Sequence, residues 1–152
     1  MKLDTLENRT ETLLEVISDY ADDDDTILEI GQGTGRNVKA LLKEGYLAEG
    51  IDKKDGTAIE DVEPKEYDIV FTMSTLFLIP PENDWVFEKI AKMAKKYIIT
   101  FEGEATSPER NVYGRNYDEV FSRYGFTQVE ASPIFNKYGM MRVMKRCQPT
   151  KQ

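Results

Sequence analysis

The stretch from Thr26 to Asp52 constrains this chain more than any other. Thr26-Ile27-Leu28-Glu29-Ile30 is a short apolar run of strand character, and it meets Gly31-Gln32-Gly33-Thr34-Gly35 without a spacer. Val38, Leu41 and Leu42 then recur at helical spacing until Gly45, and Tyr46 to Ile51 forms a second strand that closes on Asp52. Strand, glycine loop, helix and strand in this order make one right-handed β-α-β unit. A parallel sheet of this kind must be covered on both faces, so the expected class is α/β.

The loop carries the chemistry. Glycines at alternate positions let the backbone approach a ligand without Cβ clashes, and the following helix start offers unpaired N–H groups. Asp52 ends the neighbouring strand, where its carboxylate can take both hydroxyls of a ribose, so a nucleoside is the natural guest. The dinucleotide spacing is not met, because Arg36 stands where that motif requires Gly or Ala for tight packing. A phosphate-binding P-loop fails as well, since no Lys-Ser or Lys-Thr follows the glycines. The alternative to a ligand loop is a plain turn between strand and helix.

The rest of the chain continues the alternation. Leu3, Leu6, Leu13, Leu14 and Ile17 mark an amphipathic helix from Leu3 to Tyr20, and Asp22 to Asp25 read as a solvated turn rather than a cation site. Tyr67 to Met73 is a buried strand, Pro80 and Pro81 lead into a helix from Asp84 to Lys96, and Lys96 to Phe101 is another buried strand. A long loop, Glu102 to Val112, precedes a helix from Asn116 to Tyr124. Phe126 to Ile134 and Met140 to Met144 form a closing hairpin around Asn136-Lys137-Tyr138-Gly139. The sheet is expected to be mostly parallel with an antiparallel C-terminal hairpin. With 152 residues, one domain is expected over 1–152, an N-terminal helix at 1–20 and a Rossmann-like core at 26–146.

At the glycine loop the sequence resembles the class I S-adenosylmethionine-dependent methyltransferases, whose nucleotide loop reads much like Ile27-Leu28-Glu29-Ile30-Gly31-Gln32-Gly33-Thr34-Gly35-Arg36-Asn37. The resemblance runs from Thr26 to about Ile134 and looks nearest to the small tellurite-resistance-like and type 11 members, which share Gly35-Arg36-Asn37 and Gly45-Tyr46. It implies a Rossmann-like three-layer sandwich and S-adenosylmethionine as cofactor. By it, Gly31, Gly33 and Gly35 line the methionine part, Glu29 supports the ammonium group and Asp52 holds the ribose; Gln32, Lys53 and Met73 are further expected cofactor contacts. The family places a helix and a third strand after the ribose carboxylate. Here only Lys53 to Glu66 are available, with Gly56 and Pro64 among them, so the third strand is expected to be missing and the edge shortened. Thr57 to Val62 then resembles the adenine-contacting loop, with Ile59 against the ring and Asp61 or Glu60 near its amino group; a plain acidic surface loop is the alternative.

In an open α/β sheet the crevice lies outside the C-terminal strand ends, which brings Met73 to Phe77 and Glu102 to Glu104 to the acceptor side. The Asn/Asp-Pro-Pro-aromatic sequence of nucleic-acid amino-methyltransferases is missing there; Ile79-Pro80-Pro81-Glu82 comes too late and reads as a turn entering a helix. If a base is needed, Glu102 is the expected one, with Tyr113 or Tyr117 orienting the nucleophile. Methyl transfer from a sulfonium already has a good leaving group, so the complete lack of histidine is tolerable, whereas common Ser-His, Cys-His and His-metal chemistries are excluded.

Twenty Lys and Arg against 28 Asp and Glu give a formal charge of −8, which disfavours nucleic acid. No membrane partner and no metal are expected, and the single Cys147 with an acidic, signal-poor N-terminus suits the cytoplasm. The expected function is methyl transfer to a small molecule or protein side chain. The rivals are a methyltransferase-like binding module acting through a partner, and a nicotinamide oxidoreductase, which Arg36 argues against.

Overall fold

A computed structural model describes residues 6–53, 58–63, 65–134 and 138–147. Its main sheet has the order β2-β1-β3-β4-β8-β7, with β1 Thr26–Ile30, β2 Leu47–Ile51, β3 Tyr67–Met73, β4 Ala94–Gly103, β7 Phe126–Pro133 and β8 Gly139–Arg146. β1 to β4 pair in parallel, and β8 runs antiparallel between β4 and β7. The reversed strand therefore lies second from the edge. Among the described residues no strand separates β2 from β3, which leaves β2 at the edge as the short connection predicts.

Strand parity sorts the side chains into two layers. Ile27, Ile69, Phe71, Ile99, Phe101, Met141 and Val143 face one side, against Leu13, Val16 and Ile17 of α1 (Leu6–Tyr20) and Leu41 of α2 (Arg36–Lys43). Leu28, Ile30, Val70, Ile98 and Met144 face the other, against Phe87 and Ile90 of α3 (Trp85–Met93) and Val120 and Phe121 of α4 (Tyr117–Ser122). These are the two covered faces that a parallel sheet requires.

Several expected boundaries move. α3 stops at Met93 and β4 begins at Ala94, so strand pairing takes over the last turn expected of the helix. The loop after β4 contains a small hairpin, β5 Thr106–Ser107 with β6 Val112–Tyr113, whose strands are too short to leave a period in the sequence. The turn at Asp22 to Asp25 is not simply solvated: Asp25 is buried, accepts the Asp22 N–H at 2.9 Å and pairs with Lys96 at 2.5 Å. Leu42, placed on the buried face of α2 by its spacing, is exposed. Leu3, Gly56, Thr57, Pro64, Asn136 and Lys137 lie outside the described residues.

The reversed strand is held by a nearly buried ion pair. Arg142 of β8 donates to both oxygens of Glu104, from Nε at 2.7 Å and Nη2 at 2.8 Å, and from Nη1 to Gln128 of β7 at 2.7 Å. Removing one partner leaves the other charge uncompensated, so Arg142→Ala is expected to lower the unfolding free energy by about 2–4 kcal/mol. Urea denaturation measures it, and a loss no larger than that of an exposed arginine would show the network to be idle.

Candidate functional site

The loops after β1, β2 and β3 leave the sheet at the same end, and the glycine loop divides the space there into two cavities. The Gly31 and Gln32 N–H groups donate to the Ile51 carbonyl at 2.8 and 3.0 Å, and the Gly33 N–H donates to Asp52 Oδ2 at 2.8 Å. Gly31 is required twice: its φ is +76°, and a Cβ would come within 2.4 Å of Thr75 Oγ1. At Gly33, φ +59°, a Cβ would enter open space, which is the crevice itself.

One cavity, about 310 Å³, lies on the α1/α2 side and is lined by Arg9, Glu29, Gln32, Asn37, Met73 and Ser74 together with the loop. Parity explains Glu29: it shares the face of Ile27, so its side chain points beneath α1 and α2. It is 2% exposed, accepts from Asn37 Nδ2 at 3.2 Å through Oε2, and has no hydrogen-bond partner at Oε1. Burial pushes its carboxyl up to about 7; the Asn37 bond opposes this, and the charges of Asp52 and Glu102 add to it. A buried carboxylate with an unmet oxygen at a cavity is a receptor for a cationic donor.

The second cavity, about 410 Å³, lies beyond the loop. Asp52 and Lys53 sit at one end, and Ile51, Ala58, Ile59, Leu78, Ile79 and Val86 supply apolar walls. Ile59 begins a single 3₁₀ turn, Ile59–Asp61, that stands in for the missing helix and strand. A polar end and an apolar slot suit a ribose carrying a base. The two cavities share Gly31, Gly33 and Ser74. Ser74 itself holds a left-handed backbone, φ 53°, and its N–H donates to the Phe101 carbonyl at 2.9 Å.

The residues expected at the cofactor thus converge, with two exceptions. Glu29, Gly31, Gln32, Gly33, Asp52, Lys53, Ile59 and Met73 line the cavities. Gly35 does not; it is the left-handed N-cap of α2. Asp61 faces solvent, and it is Glu60, beside Ile59, that lines the second cavity together with Asp52.

The expected catalytic residues line neither cavity. Glu102 shares the parity of Ile98 and points to the α3/α4 face, fully buried, where it accepts the Thr75 N–H at 2.9 and 3.0 Å and the Leu76 N–H at 3.0 Å. Burial pushes it up to about 7 against those bonds. This is the geometry of a carboxylate that holds the turn after β3, not of a base open to an acceptor. Tyr117 is also fully buried, its ring tilted 55° to that of Phe87 at 6.2 Å; burial, then the Glu102 charge, pushes its hydroxyl above the ordinary tyrosine range. Tyr113 is half-buried in β6, its hydroxyl 3.3 Å from Asn111 Oδ1. Arg9 and Thr10 went unread as site residues because nothing in α1's own pattern points to a cavity made by elements distant in sequence.

No protein-family model matches the sequence, and no curated protein matches it. Solved structures do. Magnesium protoporphyrin IX methyltransferase from Synechocystis PCC 6803, solved with bound SAM, is 15% identical with a TM-score of 0.73 over 91% of this chain and 78% of that one. The Burkholderia thailandensis 1,6-didemethyltoxoflavin-N1-methyltransferase, solved with bound 1,6-didemethyltoxoflavin and S-adenosylhomocysteine, is 12% identical with a TM-score of 0.71, covering 92% and 77%. A putative Haloferax volcanii methyltransferase, solved in complex with the Trm112 methyltransferase activator, is 14% identical with a TM-score of 0.68, covering 97% and 93%. The fold is that of the class I S-adenosylmethionine-dependent methyltransferases.

The Glu29 carboxyl sits above its ordinary 4.5, so the folded chain binds that proton more tightly than the unfolded chain. Between the two values stability falls as pH rises, and above about pH 7 the full penalty applies. Glu29→Gln is expected to stabilise the ligand-free protein at pH 8 by about 1–3 kcal/mol and to flatten its loss of stability between pH 5 and 8. Thermal melts across that range test this; an unchanged pH slope would mean that Glu29 is not strained by its burial.

Proposed function

We propose that this protein is an S-adenosylmethionine-dependent methyltransferase acting on a small molecule or a protein side chain. The observation that carries the proposal is the buried Glu29 Oε1 without a partner, at a cavity separated only by the glycine loop from a second cavity with a carboxylate and apolar walls. That layout fits an amino-acid head on one side and a nucleoside on the other. The S-adenosylmethionine and S-adenosylhomocysteine in the structural neighbours support the same choice.

In this reading Glu29 receives the ammonium group, the loop backbone passes close to the chain of the cofactor, and Asp52 accepts the ribose hydroxyls. Ile51, Ile59, Leu78 and Ile79 exclude water from the base. When bound, the cofactor supplies a methyl group on a sulfonium, already joined to a good leaving group. What the chain must add is alignment, and effective positioning alone is worth a large part of such a barrier. Glu102 contributes by fixing the Thr75 and Leu76 amides, and Thr75 lines the second cavity. It is a positioning residue here, so Glu102→Ala is expected to weaken cofactor binding together with turnover. Loss of turnover alone would restore its role as a base.

A second reading, a methyltransferase-like module that works through a protein partner, is favoured by the Haloferax volcanii neighbour, which was solved with an activator and is matched over nearly its whole length. Binding of S-adenosylhomocysteine without transfer to any acceptor until a partner is added would select it.

Calorimetric titration with S-adenosylhomocysteine, 5′-methylthioadenosine and NADH tests the proposal. The first two are expected to bind and NADH is not. Asp52→Ala is expected to weaken both adenosine ligands by about 10- to 100-fold, the effect of losing hydrogen bonds to a charged group. A folded native protein that ignores S-adenosylhomocysteine would end this reading.

A further inference from the structure

Glu102 lines neither cavity, yet the turn it holds does, and Thr75 is the link. The Thr75 N–H donates to both Glu102 oxygens at 2.9 and 3.0 Å, its carbonyl accepts the Leu78 N–H at 3.2 Å, and its Oγ1 donates to the Met73 carbonyl at 3.2 Å. A β-branched residue held at so many points has little rotamer freedom left. Its side chain lies against the first residue of the glycine loop. A Cβ on Gly31 would collide with Thr75 Oγ1 and Cγ2 and lie 3.0 Å from its Cβ, so both branches fill the space that any other residue at position 31 would need. The place of this contact matters. β1 runs between β2 and β3, so the loop that follows it has the end of β2 on one side and the turn after β3 on the other. On the β2 side, hydrogen bonds tie the N–H groups of Gly31, Gln32 and Gly33. On the β3 side, the Thr75 hydroxyl is 3.5 Å from the Gly31 carbonyl, the outer limit of a hydrogen bond, so what acts there is packing.

We propose that Thr75 is a positioning residue for ligand binding: its branched side chain is a wedge that holds the glycine loop against the end of β2 and fixes the boundary between the two cavities. This rests on the cofactor reading above. Gly31 and Gly33 line both cavities, so a loop freed on the β3 side changes both at once. A hydrogen bond confines the loop along one direction, whereas a packed branch blocks its movement toward β3 altogether. The wedge therefore depends on shape. Valine keeps both branches and loses the hydroxyl, serine keeps the hydroxyl and loses one branch, and alanine loses both. A role that lay in the hydroxyl would rank serine above valine; a wedge ranks valine above serine.

The test uses the three variants and two readouts. In calorimetric titration, Thr75→Ala is expected to weaken S-adenosylhomocysteine and 5′-methylthioadenosine alike by about tenfold, the order that two buried groups are worth. Thr75→Val should stay within about twofold of native, and Thr75→Ser should fall between the two, which keeps the comparison open even where alanine does not fold. The second readout needs no ligand. Amide hydrogen exchange in the free protein is expected to quicken at Gly31, Gln32 and Gly33 in Thr75→Ala and to stay native in Thr75→Val, with the amides of Ile99 and Val143 in the sheet as the reference for global opening. A residue that merely stabilises the fold would speed the loop and the sheet together and leave affinity unchanged. Native affinity in Thr75→Ala, a valine variant weaker than the serine one, or loop exchange that rises only in step with the sheet would each overturn the assignment. A native protein that binds neither ligand would overturn the cofactor reading and this inference with it, and that outcome is distinct because it precedes any substitution.

Discussion

Three backbone N–H groups tie the glycine loop to the end of β2, and the site follows from that tie. The Ile51 carbonyl takes the N–H groups of Gly31 and Gln32, and Asp52 takes that of Gly33. With the loop fixed at both ends, the left-handed Gly35 can start α2 in one direction, which brings Asn37 over Glu29 and closes the first cavity. The same tie sets Asp52 at the rim of the second. A carboxylate offers several acceptor positions, so one group can hold the loop and still receive ribose hydroxyls.

The tie concentrates negative charge where the sheet is driest. Glu29 and Glu102 are both buried at the C-terminal ends of their strands, and each is pushed up to about 7. They share a cause, burial, but not a use. Glu102 has its oxygens occupied by the amides of Thr75 and Leu76, which oppose the cost of burial without cancelling it. Glu29 keeps one oxygen without a hydrogen-bond partner, at the edge of the first cavity. A protein that keeps such a group gives up stability in the ligand-free state for affinity, the trade expected at binding sites.

That contrast also marks what could be read from the sequence. The β-α-β unit, its glycines and the closing Asp52 were legible because each depends on local chemistry: backbone freedom, helix start and strand end. Even the missing strand was legible, from a connection too short to hold one. Glu102 was placed at its strand end, but which face its side chain takes depends on a parity counted from the core residues Ile98 and Ile99. Tyr117 had the spacing of a packed face and is packed, which removes it from any acceptor. Arg9 could not be found at all, because its meaning arises only when α1 folds across a cavity built from residues 29 to 37 and 73 to 74.

The shortened edge links architecture to the site most directly. Among the described residues no strand lies beyond β2, which is the outermost strand and leads directly into Asp52. An exposed edge invites pairing with another chain, and this one is guarded by its brevity and by Glu49, which accepts the Tyr67 hydroxyl at 2.7 Å and pairs with Lys65 at 3.6 Å. The apolar slot beside Asp52 would lose its outer wall as well, had the connection not folded its Ile59–Asp61 turn inward to set Ala58 and Ile59 against it. Among the described residues between Lys53 and β3, the Ile59–Asp61 turn is what faces the second cavity. Ala58 and Ile59 are the apolar residues by which this stretch lines that cavity.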